Sequence, residues 1–482
     1  MADLIGNIAV PSGRVRVVRI PPYGDINLSH FSTKVINSKV IQRLRYIRQS
    51  GISLLDYPNA IHTRFEHVLG TYWNFMKIFE NNKSIFGNQY GKYVTQYSLL
   101  ALSHHLFEPA FSYATNDAVT AIWKNNRTEF DNMANQIIAD FLEPIKDNKE
   151  LSNMDLDIEG LSKIIKHNLT GGTPKEPLFN FINLPFGPGK IDSTLRDCYS
   201  LGFGEALGAQ ELINNFRIQH AVSYDLSGKI DKYFPSLNMT LGNLALLNGS
   251  IQANKTVAYR FFFSNPRRAR NKLFSRFVYK YLLDDHLQYV LEFDKFLIFV
   301  DDIIYHELKN WVREEYKEFE YIFSNFCVES QKIYFKKSPF SEIEKLYEDY
   351  DRLVKMEDDI ENEIKQQMDT SYKVLIDLRN FSKDKYWGFD QYRLMGIDEM
   401  ESQKYKNVGE LQKLLTFEDK LNKGISNERK ESFQKGLLYI HICSKNKIEE
   451  KSRLFKIIEE IVEAKLKIQT EPEQKKINKF GE

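Results

Sequence analysis

Two short stretches concentrate the residues of this chain that could do chemistry. Residues 62–67 read HTRFEH, and residues 101–114 read ALSHHLFEPAFSYA. The chain has only ten histidines, so an adjacent pair (His104, His105) and a third on a separate apolar segment (His67) stand out. A helical protein can build a metal or phosphate site this way: neutral imidazole ligates borderline metals, and a carboxylate usually completes the set. Glu108 follows the pair by three to four residues and could face the same cleft. Arg64 offers a planar fork matched to phosphate oxygens. A third stretch, GKIDSTLRD (residues 189–197), spaces a lysine, two aspartates and an arginine at helical intervals. Each has a plainer reading. A lone buried histidine is most often hydrogen-bonded core, Arg64 could be a surface ion pair, and GKIDSTLRD could be a solvated helix face. Clustering lifts the histidines above that level, but spacing alone does not choose.

The elements that must position these groups read mostly as helix. Val40, Ile41, Leu44 and Ile47 predict a helix from Ser38 that closes near Gly51. Phe65, Val68, Leu69 and Trp73 predict a second from about Thr63. The uncharged segment Val94 to His105 belongs deep in the core. RVRVVRIP alternates and predicts a short strand, and PPYGDINLS reads as turn and loop. Residues 146–189 are turn-rich, with TGGTPKEP and LPFGPG. Helices resume after Arg196 and are interrupted at NPRRARN, near residue 265. From about residue 340, Ile343, Leu346, Tyr350, Leu353, Ile360 and Ile364 form one stripe of an amphipathic helix. We read it as a surface helix on its own domain rather than a coiled-coil arm. A last helix runs from about Ser452 to Ile468, and QTEPEQKKINKFGE reads as disordered.

Composition narrows the class. Of 482 residues, 42% are hydrophobic and 27% charged, with formal net charge +1. That gives no global push toward nucleic acid or membrane. The short basic stretch PRRARNK (residues 266–272) leaves nucleic acid as a minor partner option. No apolar run is long enough to span a bilayer, and the first residues lack the basic start and apolar core of a signal peptide. Cys198, Cys327 and Cys443 are far apart without a CxxC, as in a reducing cytoplasm.

Taken in order, VIQRLRYIRQSG, YPNAIHTRFEHVLG, ALSHHLFEPAFSYA and KIDSTLRDCYSLG resemble the successive blocks of one family, the HD-domain deoxynucleoside triphosphate triphosphohydrolases. These include bacterial dGTPases and the sterile-alpha-motif-and-HD-domain enzyme of animals. The match is most specific between Ile20 and Gly70 and fades beyond about residue 310. The resemblance implies an all-α HD-domain fold with a short N-terminal β element and a helical C-terminal extension. We divide the chain into residues 1–330, the HD-like core, and 331–482, a helical region with a disordered tail. In the family a histidine, a His-Asp pair and a distant aspartate hold one metal, which activates water. The reaction releases triphosphate and a deoxynucleoside.

Carried over residue by residue, the metal histidines fall on His67 and His104. The aspartate of the pair falls on His105, and the distant aspartate falls on Gly189. Two further histidines of the family become Glu108 and Tyr113, and a third corresponds to Phe130. The nucleotide-contacting positions are retained: Gln49, Arg64, Lys190, Asp197 and, on a later helix, Arg276 and Tyr279. The sugar-stacking tyrosine is replaced by Ser193. Three readings follow. The first, which the correlated loss of carboxylates favours, is a degenerate enzyme that binds or senses a nucleotide or deoxynucleotide, or serves as a subunit of an assembly. The second is an active metal-dependent phosphohydrolase with a revised site, in which His67, His104 and His105 hold a metal and His105 and Glu108 serve catalysis. The third is a protein-interaction module without nucleotide. The cofactor is then one divalent transition metal (zinc, manganese, iron or nickel) or none. A homo-oligomer or protein partner fits all three readings, and the expected location is cytoplasmic.

Overall fold

The computed structural model describes residues 16–146, 158–169, 182, 187–204, 208–225, 228–238, 246, 249–250, 252–254, 256–262, 264–323, 327–334, 349–368, 372–377, 393–395, 437–445, 447–448 and 450–466. The tail beyond 468, Ile343, Leu346 and much of the turn-rich region 146–189 lie outside them.

An antiparallel pair opens the described chain, β1 (Arg16–Ile20) and β2 (Gly24–Leu28), with Ile20 opposite Gly24. The sequence predicts only the first. In the second, Ile26 and Leu28 alternate inward and are fully buried, a pattern masked by its Gly-Asp start. After α1 (His30–Val35), α2 (Lys39–Arg43) is shorter than its apolar spacing predicts. Its apolar face continues through a 3-10 turn, Leu44–Tyr46, and then the backbone extends at Ile47. There Arg64 N donates to Ile47 O at 2.8 Å and Gln49 N to His62 O at 2.9 Å. This non-local pairing ends the helix and sets Gln49 beside His62.

The site scaffold is three helices: α3 (Arg64–Asn81), α4 (Tyr90–Ser103) and, after α5 (Asn116–Asn125), α6 (Arg127–Leu142) and α7 (Ile158–Leu169), α8 (Pro188–Leu201). A capping box starts α3: Thr63 accepts from Glu66 N, and Glu66 accepts from Thr63 N at 2.7 Å. Helix α3 packs on both α4 and α8. Gly70 makes the second approach possible, because a Cβ there would lie 1.7 Å from Asp192 Oδ1 and 2.7 Å from Arg196 Nη2. Gly70→Ala must drive the two helices apart, and we expect it to cost roughly 1–3 kcal/mol. Urea denaturation checks this, and an unchanged midpoint would refute the tight contact.

Next come β3 (Phe216–Asp225), β4 (Gly228–Asn238), α9 (Asn265–Leu283), α10 (Phe293–Ile298) and α11 (Asp301–Glu315). The last described elements are β5 (Cys327–Tyr334), α12 (Tyr350–Met368), β6 (Lys373–Asp377), β7 (Arg393–Met395), β8 (Leu437–Ser444) and α13 (Lys451–Leu466). Two three-stranded sheets form, in the orders β3-β4-β7 and β5-β8-β6. The class is therefore helical with small sheets and short N-terminal strands, and the two later sheets are additions that the sequence did not reveal. Residue 330, the expected end of the core, falls inside β5.

NPRRARN is not an interruption but the first turns of α9, with Pro266 at the start where its missing N–H costs nothing. Arg267 and Arg270 are buried: the guanidinium of Arg267 stacks over Phe261 at 3.4 Å, and Arg270 pairs with Asp56 at 3.1 Å. Neither faces outward toward a nucleic-acid backbone. In α12, Tyr350, Leu353, Ile360 and Ile364 are buried, and the helix packs on β6 and α13 of its own chain. No described helix is long and apolar enough to cross a membrane.

Candidate functional site

Three histidines meet where α3 faces the loop after α4. His67 stands on the buried face of α3, His104 caps the end of α4, and His105 follows in the turn. One ring nitrogen from each lies within 4.8 Å of those of the other two. His67 Nε2 and His104 Nε2 are 3.5 Å apart.

The opposite ring nitrogen of each histidine is spoken for. His67 Nδ1 lies 2.6 Å from Asp192 Oδ2, His104 Nδ1 lies 2.6 Å from the carbonyl of Ala101, and His105 Nδ1 lies 2.7 Å from Glu108 Oε2. Carbonyl and carboxylate oxygens accept, so each Nδ1 carries the proton and each Nε2 carries a lone pair. Burial, then the neighbouring His104 and Arg64, pushes His67 well below the ordinary imidazole range. Burial and then His105 do the same to His104. Burial and Arg64 bring His105 down to about 4, although Glu108 works against them. All three rings are thus neutral, the ligating form, at neutral pH.

Asp192 is fully buried on α8 and is held on its other side by Arg196, Nη2 to Oδ1 at 2.7 Å and Nε to Oδ2 at 3.1 Å. Burial pushes its carboxyl up, and Arg196 opposes that shift. Glu108 is shared between His105 and Arg64, whose Nη2 lies 2.8 Å from Oε1. Burial acts to raise Glu108, but Arg64 and His105 together outweigh it and hold the carboxyl well below the usual range. Arg64 Nη1 also lies 3.4 Å from His105 Nε2, and its Nε donates to the Ser112 hydroxyl at 2.8 Å.

A second cluster sits between the paired segments holding Gln49 and His62 and helix α8. Asp197 Oδ1 accepts from His62 Nε2 at 2.9 Å and from Gln49 Nε2 at 3.3 Å. Lys190 lies one helical stretch before Asp197 on α8; burial pulls its ammonium down and Asp197 counters. Arg64 thus adjoins His105, while Gln49 and Asp197 gather around His62, with Lys190 on the same helix as Asp197. Arg276 and Tyr279 do not join them. Arg276 points to the acidic face of α12, pairing with Glu361 at 2.6 Å, with Glu357 at 3.5 Å and with Asp358. Tyr279 donates to Asp351 of the same helix.

Sequence reasoning missed the residues that fix the loop 104–115. Arg43, placed among apolar residues of α2, is buried and donates to the carbonyls of Glu108 (2.8 Å), Phe296 (2.7 Å) and Phe299 (2.7 Å). Asp301, fully buried, accepts from Phe111 N at 2.6 Å and Arg48 N at 3.0 Å. Phe111 and Ser112 hold φ of 61° and 55°, a region that side chains rarely adopt. Gly51 lets this turn close, since a Cβ there would lie 2.5 Å from Phe111 O. A cation inside the apolar stripe Val40, Ile41, Leu44 was the available signal for Arg43; Asp301 gave none.

Where the resemblance puts an aspartate, Gly189 has no room for one as the backbone stands. A Cβ would lie 2.9 Å from Ile182 O. We expect Gly189→Asp to cost roughly 1–3 kcal/mol and to leave the metal content no higher than in the wild type, as denaturation and elemental analysis would show. Phe130 is core, stacked on Trp123 at 4.8 Å. Ser193 turns back to Lys190 O at 3.0 Å. Tyr113 receives Asn271 Nδ2 at 3.2 Å.

No protein-family model matches the chain. It is 29% identical over 192 residues to an uncharacterized protein, MJ1154, of Methanocaldococcus jannaschii, covering 39% of this chain and 34% of that protein. It is 27% identical over 215 residues to a putative HD domain-containing protein, L394, of Acanthamoeba polyphaga mimivirus, covering 41% of this chain and 45% of that one. Over 56 residues it is 41% identical to the human deoxynucleoside triphosphate triphosphohydrolase SAMHD1, covering 12% of this chain and 9% of that enzyme. The matches thus span less than half the length of each of these relatives. Among solved structures, a hypothetical protein of Aquifex aeolicus superposes with TM-score 0.55 at 19% identity, covering 92% of this chain and 99% of that one. A phosphohydrolase of Bacteroides thetaiotaomicron superposes with TM-score 0.53 at 15% identity, covering 90% and 100%. These two likenesses establish the fold.

Proposed function

We propose, on the premise that this chain is related over part of its length to the HD-domain dNTPase-like family, that it is a metal-dependent phosphohydrolase of a nucleotide or deoxynucleotide with a revised, histidine-rich centre. One observation carries the reading. His67 and His104 aim two Nε2 lone pairs at each other across 3.5 Å, with both Nδ1 protons engaged elsewhere. Two acceptors facing across that gap repel unless a cation lies between them. Two imidazoles on one tetrahedral ion, with metal–nitrogen bonds of about 2.0–2.1 Å, stand about 3.3 Å apart. The acceptors behind each Nδ1 are the partners that orient ligating histidines and raise their basicity. The donor set therefore fits a divalent transition metal such as zinc, iron, nickel or manganese, and fits magnesium poorly, since two anionic ligands have become His105 and Gly189.

His67, His104 and His105 would hold the ion, which would supply Lewis acidity toward phosphate chemistry. The remaining roles belong to the chain. Arg64 and Lys190 would bind phosphate oxygens, Gln49 and Asp197 would contact the sugar, and Glu108 orients His105. Asp192 orients His67.

Binding or sensing without hydrolysis is the second reading. The loss of both metal-binding carboxylates favours it, as does the engagement of Arg64 by Glu108 at 2.8 Å. Elemental analysis of the purified protein tests the proposal. We expect a stoichiometric transition metal that is lost in His105→Ala, followed by triphosphate or phosphate release from at least one nucleotide. A protein without metal overturns it. Metal with nucleotide binding but no turnover selects the second reading.

A further inference from the structure

We propose that Glu108 is an internal anion that occupies the phosphate cradle of Arg64, and so decides which anions the site admits. This rests on the reading of Arg64 as a phosphate-binding group. The carboxylate of Glu108 is held by three donors. Arg64 Nη2 reaches Oε1 at 2.8 Å, the Ser112 hydroxyl reaches Oε1 at 2.5 Å, and His105 Nδ1 reaches Oε2 at 2.7 Å. The Ser112 hydroxyl in turn accepts from Arg64 Nε at 2.8 Å and from Nη2 at 2.5 Å, which aligns the guanidinium on its target. A guanidinium, a hydroxyl and an imidazole N–H converging on two oxygens make a donor set equally suited to a phosphate. Here the anion is supplied by the chain itself.

The cradle is prearranged rather than a chance surface contact. The side chains of Arg64 and Glu108 are only 11% and 13% exposed, so water screens the pair little. Ser112 presents its hydroxyl from a left-handed turn that Asp301 holds through Phe111 N. The carbonyl of Glu108 is fixed by Arg43. An incoming phosphate must displace or share this carboxylate. Glu108 repels a doubly charged terminal phosphate more than a singly charged phosphoryl group, because the repulsion grows with ligand charge. Glu108 thus offsets the pull of Arg64 and lowers the site's affinity for dianions more than for singly charged phosphoryl groups.

The test is calorimetric titration at mildly alkaline pH, with inorganic phosphate as the dianion and dimethyl phosphate as the monoanion. Wild type, Glu108→Gln, and Glu108→Gln combined with Arg64→Gln are compared. Glutamine keeps an acceptor for His105 Nδ1–H while removing the charge. We expect Glu108→Gln to bind inorganic phosphate about tenfold or more tightly than wild type. Dimethyl phosphate should gain less, and the double variant should lose the gain. Equal or weaker phosphate binding by Glu108→Gln, including none by either protein, overturns the inference. Glu108→Ala provides the same comparison if the glutamine variant fails to fold by circular dichroism. A chain that carries its metal yet shows no gain fails this inference alone; a gain that survives Arg64→Gln removes Arg64 from the phosphate site.

Discussion

Arg43→Met is expected to destabilise the protein by about 4 kcal/mol and to loosen the loop that carries Glu108. Arg43 is 3% exposed and bonds three carbonyls, two of them at the end of α10. Burial brings its guanidinium down to about 9, so it remains charged at neutral pH. Methionine fills similar volume and lies over Phe296 much as the guanidinium does at 3.9 Å. It removes the cost of burying a charge, which offsets part of the loss. It also strands three buried acceptors at about 1–3 kcal/mol each, and that term is the larger. Denaturant titration gives the stability change. Hydrogen exchange at residues 106–112 reports on the loop. A loss below about 1 kcal/mol would mean that water replaces the guanidinium.

Asp192→Asn should have the second large effect, in two separable readouts. Asparagine leaves Arg196, 2% exposed, without its carboxylate, and breaking a buried pair from one side costs about 3–5 kcal/mol. Of the other contacts of Arg196, Pro21 O at 2.8 Å cannot neutralise the charge, and Glu66 is a longer, more exposed partner at 4.0 Å. Asparagine also weakens the support behind His67 Nδ1, and metal affinity should fall about 10- to 100-fold. Metal competition titration reads this second effect at a temperature where the variant is folded. If stability falls and metal affinity does not, Asp192 is a structural partner of Arg196 alone.

The portion of the site that sequence revealed is the portion encoded locally. Thr63 and Glu66 announce the start of α3, which puts Arg64 at its first residue and His67 one turn in. His104 and His105 follow an uncharged run, and GKIDSTLRD proves to be a buried helix face, with Asp192, Arg196 and Asp197 all inside. What stayed hidden is pairing across long separations. His67 meets Asp192 across 125 positions, His62 meets Asp197 across 135, and Phe111 meets Asp301 across 190. No window of sequence carries such partnerships. The same limit hid the early end of α2, where backbone pairing with residues 62–64 overrides a helical pattern, and the sheet β5-β8-β6, which pairs Cys327–Tyr334 with Leu437–Ser444.

The placement of Arg276 has a consequence for how the molecule comes apart. This residue of α9 is buried against three carboxylates of α12, and it also donates to Val374 O of β6 at 3.0 Å. Lys373 adds a second cation on Glu361 at 2.8 Å. If α12 alone peeled away, the guanidinium would lose its three carboxylate partners at once, and Lys373 would lose Glu361. That partial opening is so costly that α9, α12 and β6 should exchange their amide hydrogens as one foldon, at nearly the free energy of global unfolding.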